Sequence, residues 1–119
     1  MSNIRLYHNP NCSKSRGTLE LLQERGVPLE IVEYLDTPPS QTELEAILEA
    51  LPEEAATLVR HDKHFKSLEL DPDAYETPES VIALLLKHPE LMQRPIAVRG
   101  GSARIGRPPE NVLELLDEG

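Results

Sequence analysis

Ile4-Arg5-Leu6-Tyr7, then His8-Asn9-Pro10-Asn11, then Cys12-Ser13-Lys14-Ser15-Arg16 is the stretch on which the fold turns. Ile4 to Tyr7 reads as a short strand, and His8 to Asn11, with its proline and asparagines, as a turn. From Cys12 the pattern becomes helical: Leu19 and Leu22 share a face, and Gly26 stops the helix. Leu29 to Leu35, rich in Ile and Val, reads as a second strand. Strand, helix and strand in this order predict a parallel pair joined by a right-handed crossover.

The rest of the chain extends this unit. Ser40 and Glu43 have the spacing of a capping box, and Leu44, Ile47, Leu48 and Leu51 follow at i, i+3, i+4 and i+7. Pro52 begins a short further helix through about Val59, and His61 to Tyr75 reads as irregular loop with room for short turns. Thr77-Pro78 opens another helix, with Thr77 as cap and Pro78 at its first position, ending near Lys87-His88. Ile96 to Arg99 and Ser102 to Ile105 are two short strands around Gly100-Gly101, a two-residue hairpin signal. Pro108-Pro109 then starts a C-terminal helix carrying Val112, Leu113, Leu115 and Leu116. The predicted fold class is α/β: one domain over residues 1–119, with a four-stranded mixed sheet and a helical insertion at about 40–92.

Composition narrows the function. At 119 residues the chain has the size of one domain able to hold a core without staples. Its longest apolar run is Val81 to Leu86, far short of a bilayer span, and it reads as carrying no signal peptide. A cytoplasmic protein with no membrane partner is expected. The net charge of -9 argues against a nucleic-acid surface, although gathered arginines can still form a local anion site. The single cysteine allows no internal disulfide or zinc–thiolate cluster, and His8, His61, His64 and His88 lack metal-ligand spacing. No metal ligands are therefore assigned.

By itself a lone cysteine reads as a small buried hydrophobe. Cys12, however, falls where a strand passes through a turn into a helix, and the unpaired N–H groups there favour an anion. They should lower its thiol pKa from about 8.5 towards neutrality. His8 lies four residues before it and Arg16 four residues after. The Cys12-Ser13-Lys14-Ser15 run has a serine where a Cys-x-x-Cys pair would carry its resolving sulfur, so redox work would need a thiol from elsewhere. Ser15 itself reads as a polar first-turn residue.

A second feature points to an anion. A two-residue turn at Gly100-Gly101 pairs Arg99 with Ser102, Val98 with Ala103 and Ile96 with Ile105. Continuing the register sets Arg94 opposite Arg107, on the side of Ile96 and Val98 and away from Arg99 and Arg104. Two directly opposed arginines repel unless something negative lies between them, and they suit bidentate oxyanion binding. On spacing alone Arg60, before His61-Asp62-Lys63, is only a charged helix end. Pro95 follows Arg94 at a strand start, where an X–Pro bond has the cis form open to it.

His8-Asn9-Pro10-Asn11-Cys12-Ser13-Lys14-Ser15-Arg16 resembles the active-site loop of the glutaredoxin-coupled arsenate reductases, the ArsC family. Tyr34-Leu35-Asp36-Thr37-Pro38-Pro39 resembles that family's segment after the second strand. Arg94-Pro95-Ile96 and Arg107-Pro108 resemble its two later arginine motifs. The likeness covers almost the whole chain, and the short length and the ending Gly-Arg-Pro-Pro-Glu-Asn-Val-Leu are most similar to its YfgD-type branch. The resemblance implies a thioredoxin-like fold and a cis Pro95. It implies Cys12 as nucleophile, His8 as the residue favouring its thiolate, and Arg60, Arg94 and Arg107 as the oxyanion-binding residues. The implied reaction reduces arsenate to arsenite through a Cys12 adduct. It uses no tightly bound cofactor; glutathione is the reducing co-substrate and glutaredoxin the partner of a monomeric enzyme. The chain departs from the longer, operon-encoded enzymes by lacking their C-terminal extension and by carrying Arg99 and Arg104. Two other readings stand beside it: an Spx-like, non-enzymatic transcriptional regulator, and a monothiol transferase acting on glutathione-mixed disulfides.

Overall fold

The computed structural model describes residues 4–107 and 109–116. Its centre is a four-stranded sheet in the order β2-β1-β3-β4, with β1 at Ile4–His8, β2 at Leu29–Glu33, β3 at Ile96–Arg99 and β4 at Ser102–Ile105. β1 and β2 are parallel and are connected through α1 (Ser13–Glu24); the other pairings are antiparallel. The expected strand–helix–strand opening and mixed sheet are both present, and the fold is thioredoxin-like. Gly26, at φ 68°, takes the left-handed conformation that ends α1.

Side-chain alternation divides the core into two layers. Ile4, Leu6 and Ala97 point to one face, where they meet Leu22 of α1 and Val112 and Leu115 near the C-terminus. Tyr7, Ile96, Ala103 and Ile105 point to the other face, which is covered by the helical segment between β2 and β3. That segment contains α2 (Gln41–Ala50), α3 (Lys63–Ser67) and α4 (Pro78–Lys87), with short 3-10 turns between them. Both expected caps form. Ser40 and Glu43 make a reciprocal capping box on α2, and Thr77 and Ser80 make one on α4, with Pro78 in its first turn. Glu43 also accepts a 2.7 Å hydrogen bond from the Tyr7 hydroxyl, joining the insertion to the central strand. Burial and the Glu43 carboxylate push the Tyr7 phenol up to about 12.

Four local expectations change. β2 stops at Glu33 because its carbonyl accepts from the amides of both Asp36 and Thr37, turning the chain and sending Tyr34 into the core. After Pro52 only a 3-10 turn forms, over Ala55–Leu58, held by i→i+3 bonds such as Thr57 N–H to Glu54 O. The region read as loop contains α3, because Asp62 caps it and Phe65 anchors it in the core. The C-terminal helix is 3-10 over Pro109–Leu115; its buried residues, Val112 and Leu115, stand three apart, which suits three residues per turn. Pro108 lies outside the described residues. Among these residues no helix is long and apolar enough to cross a membrane.

One close approach locks the hairpin to α1. A Cβ at Gly106 would lie 2.7 Å from both Pro95 Cγ and Thr18 Oγ1. Pro95 is a ring, and Thr18 is buried with its hydroxyl committed to the Lys14 carbonyl, so neither can yield freely. Gly106→Ala is expected to destabilise the protein by roughly 1–3 kcal/mol, read as a fall in the midpoint of urea unfolding at an unchanged m-value.

Candidate active site around Cys12

The backbone leaves β1 at His8 and turns back at once: the Cys12 N–H donates to the Asn9 carbonyl at 3.0 Å, and the Asn11 N–H to Asn9 Oδ1 at 3.0 Å. This tight loop puts Cys12 at the N-cap of α1 in extended conformation, with no side-chain capping hydrogen bond. An N-cap side chain ordinarily supplies an oxygen to the free amides of the first turn. Here a sulfur occupies that place. As a thiol it caps poorly; as a thiolate it is what the amides call for.

The electrostatics follow that geometry. Partial burial alone would push the Cys12 thiol up, but the Ser15 and Lys14 backbone N–H groups and the Arg94 guanidinium outweigh it, and the net direction is down. Arg107 Nη2 lies 3.9 Å from Cys12 Sγ. The hairpin register is the expected one through Ile96 and Ile105, and it is continued by a 2.9 Å bond from the Gly106 N–H to the Pro95 carbonyl. The Arg94–Pro95 peptide is cis. Arg94 and Arg107 do meet across the hairpin. Arg107 turns its Nε to the Arg94 backbone carbonyl at 2.9 Å, which directs its outer nitrogens towards the sulfur.

Arg60 joins from the insertion. Its N–H donates to the Leu91 carbonyl at 2.7 Å, beside the bridge between Val59 and Met92, so the segment carrying it is tied to the approach to β3. Burial pushes its guanidinium down and the Arg94 and Arg107 charges add to this, against the Asp62 carboxylate at 3.3 Å. Three cations therefore share one neighbourhood, and one of them has a carboxylate partner there.

His8 lies at the end of β1, behind the loop that carries Cys12. It is buried, and its Nδ1 lies 2.7 Å from Ser15 Oγ. Burial pushes its imidazole below the usual value; the Arg16 charge adds to this, and Glu33 opposes it. Ser15 is completely buried and also accepts the Asn9 N–H at 3.0 Å, so its hydroxyl ties the loop to the end of β1. By its spacing Ser15 reads as an ordinary first-turn polar residue, and nothing in the sequence marks it otherwise. Arg16 is exposed and braces the loop by donating to the Pro10 carbonyl at 2.9 Å. Arg99 and Arg104 face the other side of the sheet, where they donate to the Leu115 carbonyl and to Glu114.

Among the described residues, the buried Tyr34 hydroxyl and Arg94 Nε make no hydrogen bond. Buried unpaired donors are rare in native proteins. Tyr34 is wholly buried at the same sheet end as His8, since β2 ends at Glu33, which pairs with His8. Burial pushes its phenol up, while Arg94 and Arg60 draw it down. In the sequence Tyr34 stands out only as part of a segment, because an aromatic after a strand carries no signal of its own.

This arrangement can be set beside known proteins. The profile of the ArsC family matches residues 7–115. The chain belongs to the ArsC family. An arsenate reductase of Neisseria meningitidis is 41% identical over 118 residues, covering 98% of this chain and 100% of that protein. The uncharacterized protein YfgD of Escherichia coli (strain K12) is 45% identical over 115 residues, covering 95% of this chain and 96% of its own. The solved structure of an arsenate reductase from Vibrio cholerae superposes with a TM-score of 0.85 at 41% identity, covering 95% of this chain and 97% of the other. This ArsC family member thus shares its fold with the Vibrio cholerae protein and nearly its full length with all three.

Two measurements follow. The pH profile of Cys12 alkylation by iodoacetamide is expected to reach its midpoint below that of an ordinary thiol, and Arg94→Ala to move it upward; an unshifted profile in the variant would show that the guanidinium does not act on the sulfur. Tyr34→Phe removes a hydroxyl with no partner in the free protein, so the unfolding midpoint is expected to stay level or rise, whereas loss of a made hydrogen bond would lower it by about 1 kcal/mol.

Proposed function

We propose that this chain is an arsenate reductase, with Cys12 as nucleophile and Arg60, Arg94 and Arg107 as the groups that hold the oxyanion. The observation that carries this reading is the meeting of Arg94, Arg107 and the amino end of α1 at one sulfur, with Arg60 beside those two arginines. The identity of about 40% with proteins named arsenate reductase, over the whole chain, supports the choice of oxyanion.

The chemistry needs these parts. Arsenate is an anion at neutral pH, so an attacking thiolate meets repulsion. Guanidinium groups lower that repulsion and hold the tetrahedral oxyanion in line with the sulfur. The Cys12 thiolate adds to arsenic, an S–As bond forms, and one arsenic oxygen leaves as water or hydroxide. Glutathione attacks the arsenic of that adduct and a second arsenic oxygen leaves as water. A glutaredoxin thiolate then takes the glutathione sulfur, and the S–As bond to glutathione breaks with its electron pair left on arsenic. Hydrolysis of the Cys12–arsenic(III) bond releases arsenite and the free Cys12 thiol. The two thiols lose those electrons as they become a mixed disulfide. A single cysteine with Ser15 three residues on fits this dependence on outside thiols.

In this reading His8 acts through Ser15. The neutral imidazole holds the hydroxyl, the hydroxyl holds the loop, and the loop aims the first amides of α1 at the sulfur. His8 is then a positioning residue. The unpartnered Tyr34 hydroxyl and Arg94 Nε are donors that an oxyanion can satisfy.

The test is arsenate turnover with glutathione and glutaredoxin. Wild type is expected to turn over and Cys12→Ser to be inactive. Arg94→Ala and Arg107→Ala are each expected to lower kcat/KM by about a hundredfold or more. Absence of turnover by wild type overturns the reading. Activity on glutathione-mixed disulfides that survives both arginine substitutions supports the monothiol transferase instead.

A further inference from the structure

On the insertion, away from Cys12 in sequence, His64, His88 and Glu90 bring three donor atoms within 4.8 Å of one another. His64 Nε2 lies 2.8 Å from Glu90 Oε2, and His88 Nδ1 lies 3.0 Å from the same oxygen. From sequence these histidines show no ligand spacing, since 24 positions separate them. The fold closes that gap by setting α3 against the turn after α4.

We propose that His64, His88 and Glu90 form a binding site for a divalent transition-metal ion of the zinc class. Two imidazole nitrogens and one carboxylate oxygen are a ligand set suited to zinc, cobalt or nickel, whereas magnesium and calcium prefer all-oxygen shells. A tetrahedral ion about 2.0–2.1 Å from each donor sets the donors about 3.3 Å apart. The two separations to Glu90 need to open by a few tenths of an ångström, and the two histidine nitrogens, which lie within 4.8 Å of each other, need to close towards the same value, movements that partly exposed side chains can supply.

The backbone under the ligands is already fixed. His64 sits in α3, whose first turn is capped by Asp62. His88 and Glu90 sit on one tight turn: the His88 N–H donates to the Leu84 carbonyl at 2.7 Å, and the Leu91 N–H to the His88 carbonyl at 3.0 Å. The two segments are tied together behind the ligands by Arg60 N–H to Leu91 O and Gln93 N–H to Leu58 O, both 2.7 Å. A site on such a frame loses little freedom when it closes on an ion.

The proton balance is simple. In the metal-free chain Glu90 Oε2 accepts from both rings. When the ion enters, each neutral imidazole gives up the proton on its coordinating nitrogen and takes one on the other nitrogen, and the carboxylate needs no proton change. The net charge of -9 favours a cation. The ion would pin α3 to the Pro89–Leu91 turn on the segments that carry Arg60 and lead into Arg94.

The experiment is zinc titration calorimetry on the Cys12→Ser chain, which removes the thiolate as a competing ligand. One zinc per chain is expected. His64→Ala, His88→Ala and Glu90→Gln should each weaken it about tenfold or more, with metal-free unfolding midpoints close to that of the parent. Magnesium should give no binding. In the otherwise unsubstituted chain, zinc should shift the ring resonances of His64 and His88 and leave those of His61 in place. The proposal is overturned if the Cys12→Ser chain binds no zinc, if binding ignores all three substitutions, or if magnesium binds equally well. None of these readouts depends on arsenate turnover.

Discussion

The crowding of positive charge at one end of the sheet is the constraint on which the rest depends. Arg60, Arg94 and Arg107 approach one another there, together with the amino end of α1. In an otherwise acidic chain such a cluster is unfavourable in isolation. Each cation must be held from behind by the fold, because its neighbours push it away. The Cys12 sulfur lies in this field and is drawn towards its anionic form. The same field attracts an oxyanion.

Three parts of the structure supply the restraint. The hairpin presents Arg94 and Arg107 together, and the Arg94 carbonyl takes the Nε of Arg107, so part of the repulsion becomes a hydrogen bond. The glycine at 106 lets the hairpin pack on Pro95 and Thr18 without a gap, fixing its distance from the helix that bears Cys12. The insertion brings in Arg60 and ties it to the Leu91 carbonyl and the Asp62 carboxylate. The insertion therefore sets a third guanidinium beside Arg94 and Arg107, next to the two short stretches on which His64, His88 and Glu90 meet.

Much of this was legible in the sequence. Local rules placed the capping box of Ser40 and Glu43, the Thr77 cap, the end of α1 at Gly26, the hairpin at Gly100-Gly101 and the meeting of Arg94 with Arg107, because each rests on residues a few positions apart or on the strict period of a strand. Local rules failed where packing decided. The segment after Asp62 is helical because Phe65 found a core to enter, and the C-terminal segment is 3-10 because Val112 and Leu115 had to meet the sheet.

The sequence by itself determined that one cysteine stands at a helix start, that no second thiol can resolve it, and that paired arginines face each other across a turn. Those are statements about neighbours along the chain or across a register of known length. Tertiary structure alone decided that Arg60 belongs beside them, that His8 reaches Ser15, that Tyr34 is buried with its hydroxyl unpaired, and that His64 and His88 share one carboxylate oxygen. These depend on how the insertion folds over the sheet, and that is set by the summed burial of many side chains rather than by any spacing in the chain.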